Sequence, residues 1–370
     1  MTDNTHGKPA AAAERFRSSG NIIGIREFGN GNINQTFLVT LNAGGEKHFV
    51  LQRINTRVFS RPELIMSNMR IATGHMRQHL QRAPLGEGRR WEVPQVLLTK
   101  RGEDHWTDPE GSFWRAISYI ENAQSFDTVK DIGHAGEIGY ALGIFHNLLS
   151  DLPPGLLADT LEGFHITPRY LRHFYKVMEK YSGRKSPEIN YCLNFVNARN
   201  AWAHVLENAR AQGKLSLRTI HGDPKVNNFM IDITTGQAVG IVDLDTVKPG
   251  LVHYDIGDCL RSGCNPAGER TENGETVRFD TDFCRAILQG YLLTAKKFLT
   301  GSDFDYMFDS VRLLAFELGL RFLTDYLEGN VYFRVGHPEH NLARALVQFK
   351  LTESIESQKK TIHNIIGDMR

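Results

Sequence analysis

The chain has 370 residues, of which 41% are hydrophobic, so it is long enough to bury a large core and favours two lobes. Its 43 lysines and arginines nearly cancel its 42 aspartates and glutamates, so no overall charge favours nucleic acid or an anionic membrane as a partner. No apolar stretch approaches ~18 residues, and four cysteines without metal-ligand spacing fit a reducing compartment. We therefore expect a cytoplasmic protein without membrane or nucleic-acid partners, while the sequence leaves the oligomeric state open.

Residues 1–20 show no sustained periodicity and are predicted to be a mobile lead-in. The next region, residues 21–121, contains β-prone runs that are rich in β-branched and aromatic residues. They cover residues 22–28, 33–41, 48–54, 93–98 and 113–120. Apolar residues recur at helical spacing between residues 61 and 80. This pattern predicts an N-terminal lobe with an antiparallel sheet of five strands and one helix.

Residues 122–370 are predicted to form a second lobe, which is mainly α-helical. Apolar residues recur there at helical spacing, for example from Ile138 to Leu149. Two β-prone runs, residues 229–233 and 238–242, interrupt the helical pattern and predict a hairpin. The sequence therefore predicts an α+β fold of two lobes that meet near Glu121.

Three oxygen-bearing side chains flank that hairpin. Asp223 precedes it, Asn228 stands at its start, and Asp243 follows its second strand, so the hairpin returns Asp243 to the other two. Phosphoryl transfer needs a carboxylate that accepts the nucleophile's proton and oxygen ligands that hold Mg²⁺ against the phosphates of ATP. Alternatively, these are ordinary loop residues that cap turns. Two spaced motifs in this order favour phosphoryl transfer.

Three neighbours of these residues each have two interpretations. Lys225 either neutralises charge on the transferring phosphoryl group or faces solvent. Asp245 either assists the metal or ties the loop down. We expect His221 to hold the loop through a structural hydrogen bond rather than to transfer protons.

Residues 221–228 and 243–245 resemble the H-x-D-x4-N and D-x-D motifs of aminoglycoside phosphotransferase-like kinases, relatives of choline kinase and of protein kinases. The resemblance implies a protein-kinase-like fold of two lobes that uses ATP and Mg²⁺, with Asp223 as the catalytic base. It implies metal ligands at Asn228, Asp243 and, as a further candidate, Asp245.

The same resemblance gives roles to two segments of the N-terminal lobe. In this fold the turn between the first two strands covers the ATP phosphates, which implies contacts from Asn30, Gly31 and Asn32. Backbone groups between the lobes usually bind adenine, which implies contacts from Tyr119, Ile120 and Glu121. Without the resemblance, these segments would be an ordinary hairpin turn and an ordinary strand end.

The third strand departs from the usual kinase pattern. Gln52 stands where these kinases usually place the lysine that binds the α- and β-phosphates. Arg53 is one residue out of phase, and strand alternation sends it to the opposite face. Arg70 stands where a partner glutamate is expected, so the usual ion pair is predicted to be absent. We expect Gln52 at the nucleotide site, with either rearranged phosphate contacts or weaker nucleotide binding.

Further segments narrow the resemblance to bacterial N-acetylhexosamine 1-kinases, which also carry Gln on the third strand. These segments are residues 31–34, 50–52, 164–168, 243–246 and 321–329. The resemblance implies phosphoryl transfer from ATP to the anomeric hydroxyl of N-acetylglucosamine or N-acetylgalactosamine, with Asp223 facing that hydroxyl. It implies that Arg321 and Tyr332 line the sugar pocket. Arg321 could otherwise pair with Glu317 on a helix surface.

Two other functions stay open. Within the same kinase family, the acceptor could be an amino alcohol, a homoserine-like compound or an aminoglycoside. Gln52 also motivates a nucleotide-binding pseudokinase, which the intact base and metal ligands oppose. A protein kinase is disfavoured because the sequence lacks the Asp-Phe-Gly and Ala-Pro-Glu segments that bracket an activation loop.

Overall fold

The computed structural model describes residues 7–17, 20–29, 33–42, 47–86, 88–183 and 186–370. Its N-terminal lobe is built on one antiparallel sheet. The strands are β1 (Asn21–Glu27), β2 (Gln35–Asn42), β3 (His48–Ile54), β4 (Val96–Leu97), β5 (Trp106–Thr107) and β6 (Phe113–Ser118). Their order is β1-β2-β3-β6-β4, and β5 also pairs with β6. All five predicted strands are present, and the short strand β5 is an addition within a segment that looked like a polar loop.

A helix precedes the sheet, α1 (Gly7–Phe16), so the prediction of a mobile lead-in is wrong for these residues. Ala12, Ala13 and Phe16 pack onto a face of the sheet that includes Phe49 and Leu51. Alanine is the strongest helix former, and these apolar residues recur at intervals of one and three. The short segment therefore carried a helical pattern that its charged and small residues obscured.

The opposite face of the sheet is covered by α2 (Pro62–Arg82), which matches the predicted helix. Side chains alternate along a strand, so Val50 and Gln52 point away from α1. Val50 packs in the same cluster as Met69 and Met76 of α2. Asn68 of α2 bonds the backbone of Ala158 and of Val247 in the second lobe. This helix therefore contacts both lobes.

Helices make up most of the second lobe, as predicted. They are α3 (Ile132–Leu148), α4 (Thr167–Lys180), α5 (Pro187–Arg199), α6 (Val205–Ala211), α7 (Val252–Gly263), α8 (Thr281–Ala295), α9 (Gly301–Asp305), α10 (Met307–Leu327), α11 (His340–Ser357) and α12 (Lys359–Met369). The α3 and α8 backbones approach closely, because a Cβ atom at Gly139 would lie 1.9 Å from the carbonyl oxygen of Ile287. Among the described residues, no helix has the length and apolar composition needed to cross a membrane.

Short strands position the loops at the boundary between the lobes. They are β7 (Ala123–Gln124), β8 (Arg218–Ile220), β9 (Phe229–Asp232), β10 (Ala238–Ile241) and β11 (Lys248–Gly250). The predicted hairpin is β9–β10, and β7 pairs with its first strand. A second antiparallel pair, β8–β11, brings together the segments before and after the hairpin. The loops that carry the candidate site residues leave these strands.

Candidate active site

The loop between β8 and β9 carries Asp223, and its backbone is hydrogen-bonded to a buried carboxylate. Asp255 of α7 accepts hydrogen bonds from the backbone N–H groups of His221 (2.6 Å) and Gly222 (2.8 Å). Burial raises the pKa of Asp255, but hydrogen bonds from His146 and from this backbone outweigh it and lower the pKa overall. Gly222 has φ of +86°, and a Cβ there would lie 2.7 Å from the carbonyl oxygen of Thr246. Glycine at position 222 therefore suits both this backbone conformation and the close approach of Thr246.

His221 forms the structural hydrogen bond expected of it. Its Nε2 lies 2.9 Å from the carbonyl oxygen of Val242, and its Nδ1 lies 3.2 Å from the backbone nitrogen of Asp223. Burial lowers the pKa of His221, which favours a neutral ring. A neutral ring with its proton on Nε2 satisfies both contacts, donating to Val242 and accepting from Asp223. His221 thus links the base to the strand that leads to Asp243.

The structure brings Asp223, Asn228 and Asp243 together at the cleft. The Asn228 side-chain amide donates to the backbone carbonyl of Asp223 over 2.7 Å. The backbone N–H of Val242 donates to the carbonyl of Asn228 over 2.9 Å, which brings the following residue, Asp243, beside the loop. Asp243 itself adopts φ of +66°, a left-handed conformation that turns the chain sharply after β10.

Negative charge is crowded at this point. Burial raises the pKa of Asp223 and of Asp243. The negative charges of Asp258 and Asp243 raise the pKa of Asp223 further, and that of Asp245 raises the pKa of Asp243. Lys225 opposes the effect, because its Nζ lies 2.5 Å from Oδ2 of Asp223. An amide oxygen and a carboxylate oxygen are ligands that Mg²⁺ prefers, and a cation would relieve the repulsion. The donor set of Asn228 and Asp243 therefore fits Mg²⁺.

Asp245 is engaged with the N-terminal lobe. Its Oδ2 accepts from the side-chain amide of Asn34 over 2.6 Å, and its Oδ1 accepts from Nη2 of Arg115. The carboxylate is 3% exposed. Both oxygens thus bond groups across the cleft, which favours the anchoring interpretation of Asp245 over that of a metal ligand.

Arg115 was missed by sequence reasoning and lies beside Gln52, the residue at the usual lysine position. It lies on β6 directly opposite Gln52, whose Oε1 accepts from its Nε (2.9 Å) and Nη2 (2.7 Å). Arg115 also forms a buried ion pair with Asp245. Arg53 lies on the opposite face and bonds Gln35, while Arg70 bonds Asp104. The sequence feature that could have pointed to Arg115 was an arginine within the predicted strand at residues 113–120.

The predicted adenine-binding segment leads from β6 into the second lobe. The carbonyl oxygen of Glu121 accepts two bonds from the Arg90 guanidinium at 3.1 Å, and its side chain bonds His48. Tyr119 packs edge-on against Phe28, and Ile120 is buried. The glycine-rich turn, Asn30, Gly31 and Asn32, lies outside the described residues. The contact of Arg90 with the Glu121 carbonyl is a second feature that the sequence did not predict.

Arg321 of α10 lies within a group of aromatic rings. Its guanidinium carbon is 5.0–5.9 Å from the ring centroids of Phe164, Tyr170, Tyr332 and Phe333. The alternative pairing with Glu317 is wrong, because Glu317 is buried and accepts from His165 (2.9 Å) and Thr167 (2.6 Å). His165 also bonds the carbonyl oxygen of Gly222, which connects this region to the catalytic loop.

A model of the phosphotransferase enzyme family, APH, matches residues 24–291, which is more than half of the chain. This chain belongs to the APH phosphotransferase family. The family match includes Asp223, Asn228 and Asp243, whereas Arg321 and Tyr332 lie beyond its end.

Solved structures of other proteins share the APH fold with this chain. An aminoglycoside phosphotransferase from Alicyclobacillus acidocaldarius has a TM-score of 0.62 at 14% identity, covering 96% of each chain. A microcompartment-associated aminopropanol kinase has 0.62 at 16% identity, covering 98% of this chain and 99% of its own. A choline kinase from Cryptosporidium parvum has 0.57 at 13% identity, covering 93% of this chain and 91% of its own. The predicted two-lobed kinase-like fold is confirmed by these similarities.

Proposed function

We propose that this APH-family chain transfers the γ-phosphoryl group of ATP to the anomeric hydroxyl of N-acetylglucosamine or N-acetylgalactosamine. The observation that carries the choice of acceptor is the environment of Arg321. Its guanidinium lies among four aromatic rings and forms no hydrogen bond or ion pair with the described residues. A fork of free donors beside aromatic ring faces suits a sugar, which offers hydroxyl and acetamido oxygens together with an apolar ring face.

The charge of Arg321 also separates the candidate acceptors. Amino alcohols and aminoglycosides carry ammonium groups, which a guanidinium near the acceptor would repel. Two acidic groups near the catalytic loop have their charge offset, since Arg261 contacts both Asp258 (2.8 Å) and Glu269 (3.0 Å). A neutral sugar meets no such penalty. The partly exposed Tyr332, at 42%, would border the entrance to this pocket.

The proposed chemistry centres on Asp223. Its carboxylate accepts the proton of the anomeric hydroxyl while that oxygen forms a bond to the γ-phosphorus and the bond to the β-phosphate oxygen breaks, leaving ADP. Burial raises the pKa of Asp223, which makes it a stronger base than an exposed aspartate. Lys225, which touches Asp223, would offset negative charge that builds on the transferring group.

The remaining contacts to ATP are proposals that rest on the APH fold. Asn228 and Asp243 would hold Mg²⁺, which screens phosphate charge when bound. Arg115, which lies beside the neutral Gln52, would supply positive charge near the phosphates in place of a lysine. The backbone of Tyr119, Ile120 and Glu121 would contact adenine, and Asn30, Gly31 and Asn32 would cover the phosphates.

The test is phosphoryl transfer from ATP with Mg²⁺ to a panel of acceptors. It should include both N-acetylhexosamines, glucose, ethanolamine, choline, homoserine and an aminoglycoside, with sugar phosphate and ADP measured separately. We expect the N-acetylhexosamines to have the highest kcat/KM. A faster amino-alcohol reaction would replace the acceptor and keep the phosphotransferase. Absence of transfer to every acceptor would favour the pseudokinase.

A further inference from the structure

A cluster of two histidines and one aspartate lies between the lobes and has no part in the proposed reaction. His75 and His79 stand four residues apart on α2, so both side chains project from the same face. Asp151 follows α3 in the second lobe. Its Oδ1 lies 2.8 Å from Nε2 of His75, and its Oδ2 lies 3.0 Å from Nε2 of His79.

The three side chains already converge as metal ligands do. One ligand atom from each residue lies within 4.8 Å of the others, and this is the only such group of histidine, cysteine or acidic residues among the described parts of the chain. The two imidazole rings are 4.7 Å apart between centroids. Binding an ion between them requires each neutral ring to carry its proton on Nδ1, which frees Nε2 as a ligand.

The type of donor selects the type of metal. Two imidazole nitrogens and one carboxylate oxygen suit Zn²⁺ and similar transition metals, whereas Mg²⁺ and Ca²⁺ prefer sites made entirely of oxygen. Three protein ligands leave one position of a tetrahedral Zn²⁺ site for water. The Asp151 side chain is 58% exposed, so water reaches that side of the cluster.

The position of the cluster determines what a bound ion would do. The histidines belong to the helix that covers the sheet of the N-terminal lobe, and Asp151 belongs to the second lobe. Asn68, two turns earlier on the same helix, already bonds the backbone of Ala158 and Val247 in that lobe. An ion at the cluster would add a second attachment between α2 and the second lobe.

We propose that His75, His79 and Asp151 form a binding site for a divalent transition-metal ion of the Zn²⁺ class, which fastens α2 to the second lobe. The site is separate from the Mg²⁺ ligands, and Mg²⁺ does not compete for it. Because the ion binds the folded chain, it also raises the temperature of unfolding.

The direct experiment is calorimetric titration of the full chain, without an affinity tag, with Zn²⁺ in the presence of Mg²⁺ and in the absence of nucleotide and sugar. We expect one ion per chain with a dissociation constant in the micromolar range. The variants His75→Gln, His79→Gln and Asp151→Asn should each weaken binding by at least about tenfold. Thermal melts without zinc establish that each variant is folded.

A second histidine pair provides the matched control. His337 and His340 lie beside Glu272, at 3.0 Å and 3.9 Å, but they do not converge to the same degree. The double variant His337→Gln with His340→Gln should keep the zinc affinity of the natural chain. Co²⁺ should give a visible absorption band that Asp151→Asn loses, which reports the ligand set without relying on affinity.

Either of two results would overturn the zinc site: no saturable Zn²⁺ binding by the natural chain, or undiminished binding and an unchanged Co²⁺ band in all three single variants. Neither result depends on sugar phosphorylation, because no acceptor is present. Failure of the proposed function would likewise leave a positive titration intact.

Discussion

Asp223 lies near groups of both charges, which shift its pKa in opposite directions. Lys225 lies against its carboxylate, while Asp243 and Asp258 supply negative charge nearby. His221 and Asn228 hold its backbone rather than its side chain. The loop therefore positions the backbone of Asp223, while Lys225 contacts its carboxylate.

Replacement of Asp223 by Asn should abolish most of the activity and keep the site assembled. The amide has nearly the same shape but cannot accept the proton, so we expect kcat to fall by about 10² or more. Binding of ATP with Mg²⁺, measured by calorimetry, should stay near normal. Turnover close to that of the natural chain would remove Asp223 from the role of base.

Arg321→Met tests the acceptor pocket. Loss of charge-assisted hydrogen bonds should lower kcat/KM for the N-acetylhexosamine by about 10- to 100-fold, with KM for ATP unchanged. Arg312→Met is a suitable control, because Arg312 lies on the same helix over the ring of Trp202 and bonds Asp309. Equal losses in both variants would indicate a general defect of α10 and contradict a pocket role.

The site residues that could be predicted have partners close to them in the sequence, whereas the residue that was missed has distant partners. Asp223, Asn228 and Asp243 lie within 21 positions and form motifs, so their convergence follows from one hairpin. Arg115 depends on its pairing with Gln52, 63 positions away, and on Asp245, 130 positions away. A single sequence does not state which strands pair, so this cation could not be inferred from residue types alone.

At the scale of elements, β6 and the 3-10 turn at Leu244–Thr246 are joined by the buried pair of Arg115 and Asp245. Asn34, at the start of the segment leading into β2, bonds the same carboxylate. One aspartate of the second lobe thus contacts two parts of the N-terminal lobe. Its burial makes the pairing obligatory, because an unpaired buried carboxylate is costly.

Arg115→Met should destabilise the chain by about 3–5 kcal/mol, because it leaves Asp245 buried without its counter-ion. Chemical denaturation followed by circular dichroism measures this difference. Arg53→Met on the opposite face of the sheet is the control and should change stability by less than about 0.5 kcal/mol. Adding Asp245→Asn to Arg115→Met should recover part of the loss. Equal stability of the Arg115 and Arg53 variants would contradict the importance of the buried pair.

Element types were predictable where the pattern was long or strongly biased. The strands β1, β2, β3 and β6 and the helix α2 follow from runs of β-branched residues and from helical spacing. The short helix α1 was missed because ten residues give few periods, and its stability comes from packing on the sheet. The short strand β5 exists through its pairing with β6, which local sequence does not reveal.

At the scale of the whole molecule, the two lobes are joined by the segment after β6, by Asp245 and by Asn68 of α2. The candidate base and metal ligands lie in the second lobe, whereas Gln52 and Arg115 lie in the first. In the proposed reaction both lobes would contact the same nucleotide. The order of two lobes was predictable from the change of pattern near residue 121, but the contacts between them were not.

Closure of the lobes over the acceptor should limit the wasteful transfer of phosphate to water. We expect ATP hydrolysis without sugar to be at least about tenfold slower than phosphoryl transfer with saturating sugar, because closure excludes water and completes the site. A coupled assay of ADP release, with sugar phosphate measured in parallel, gives both rates. Equal ADP release with and without sugar would count against this gating.

In the proposed reaction the anomeric oxygen of an N-acetylhexosamine receives the phosphoryl group. The most direct test of this reaction is ¹H–³¹P correlation NMR of the product formed from the full chain, ATP with Mg²⁺ and N-acetylglucosamine or N-acetylgalactosamine. The proposed reaction predicts a correlation between the new phosphorus signal and the sugar H1. A correlation to another ring proton, or no sugar phosphate from an otherwise active phosphotransferase, would contradict it.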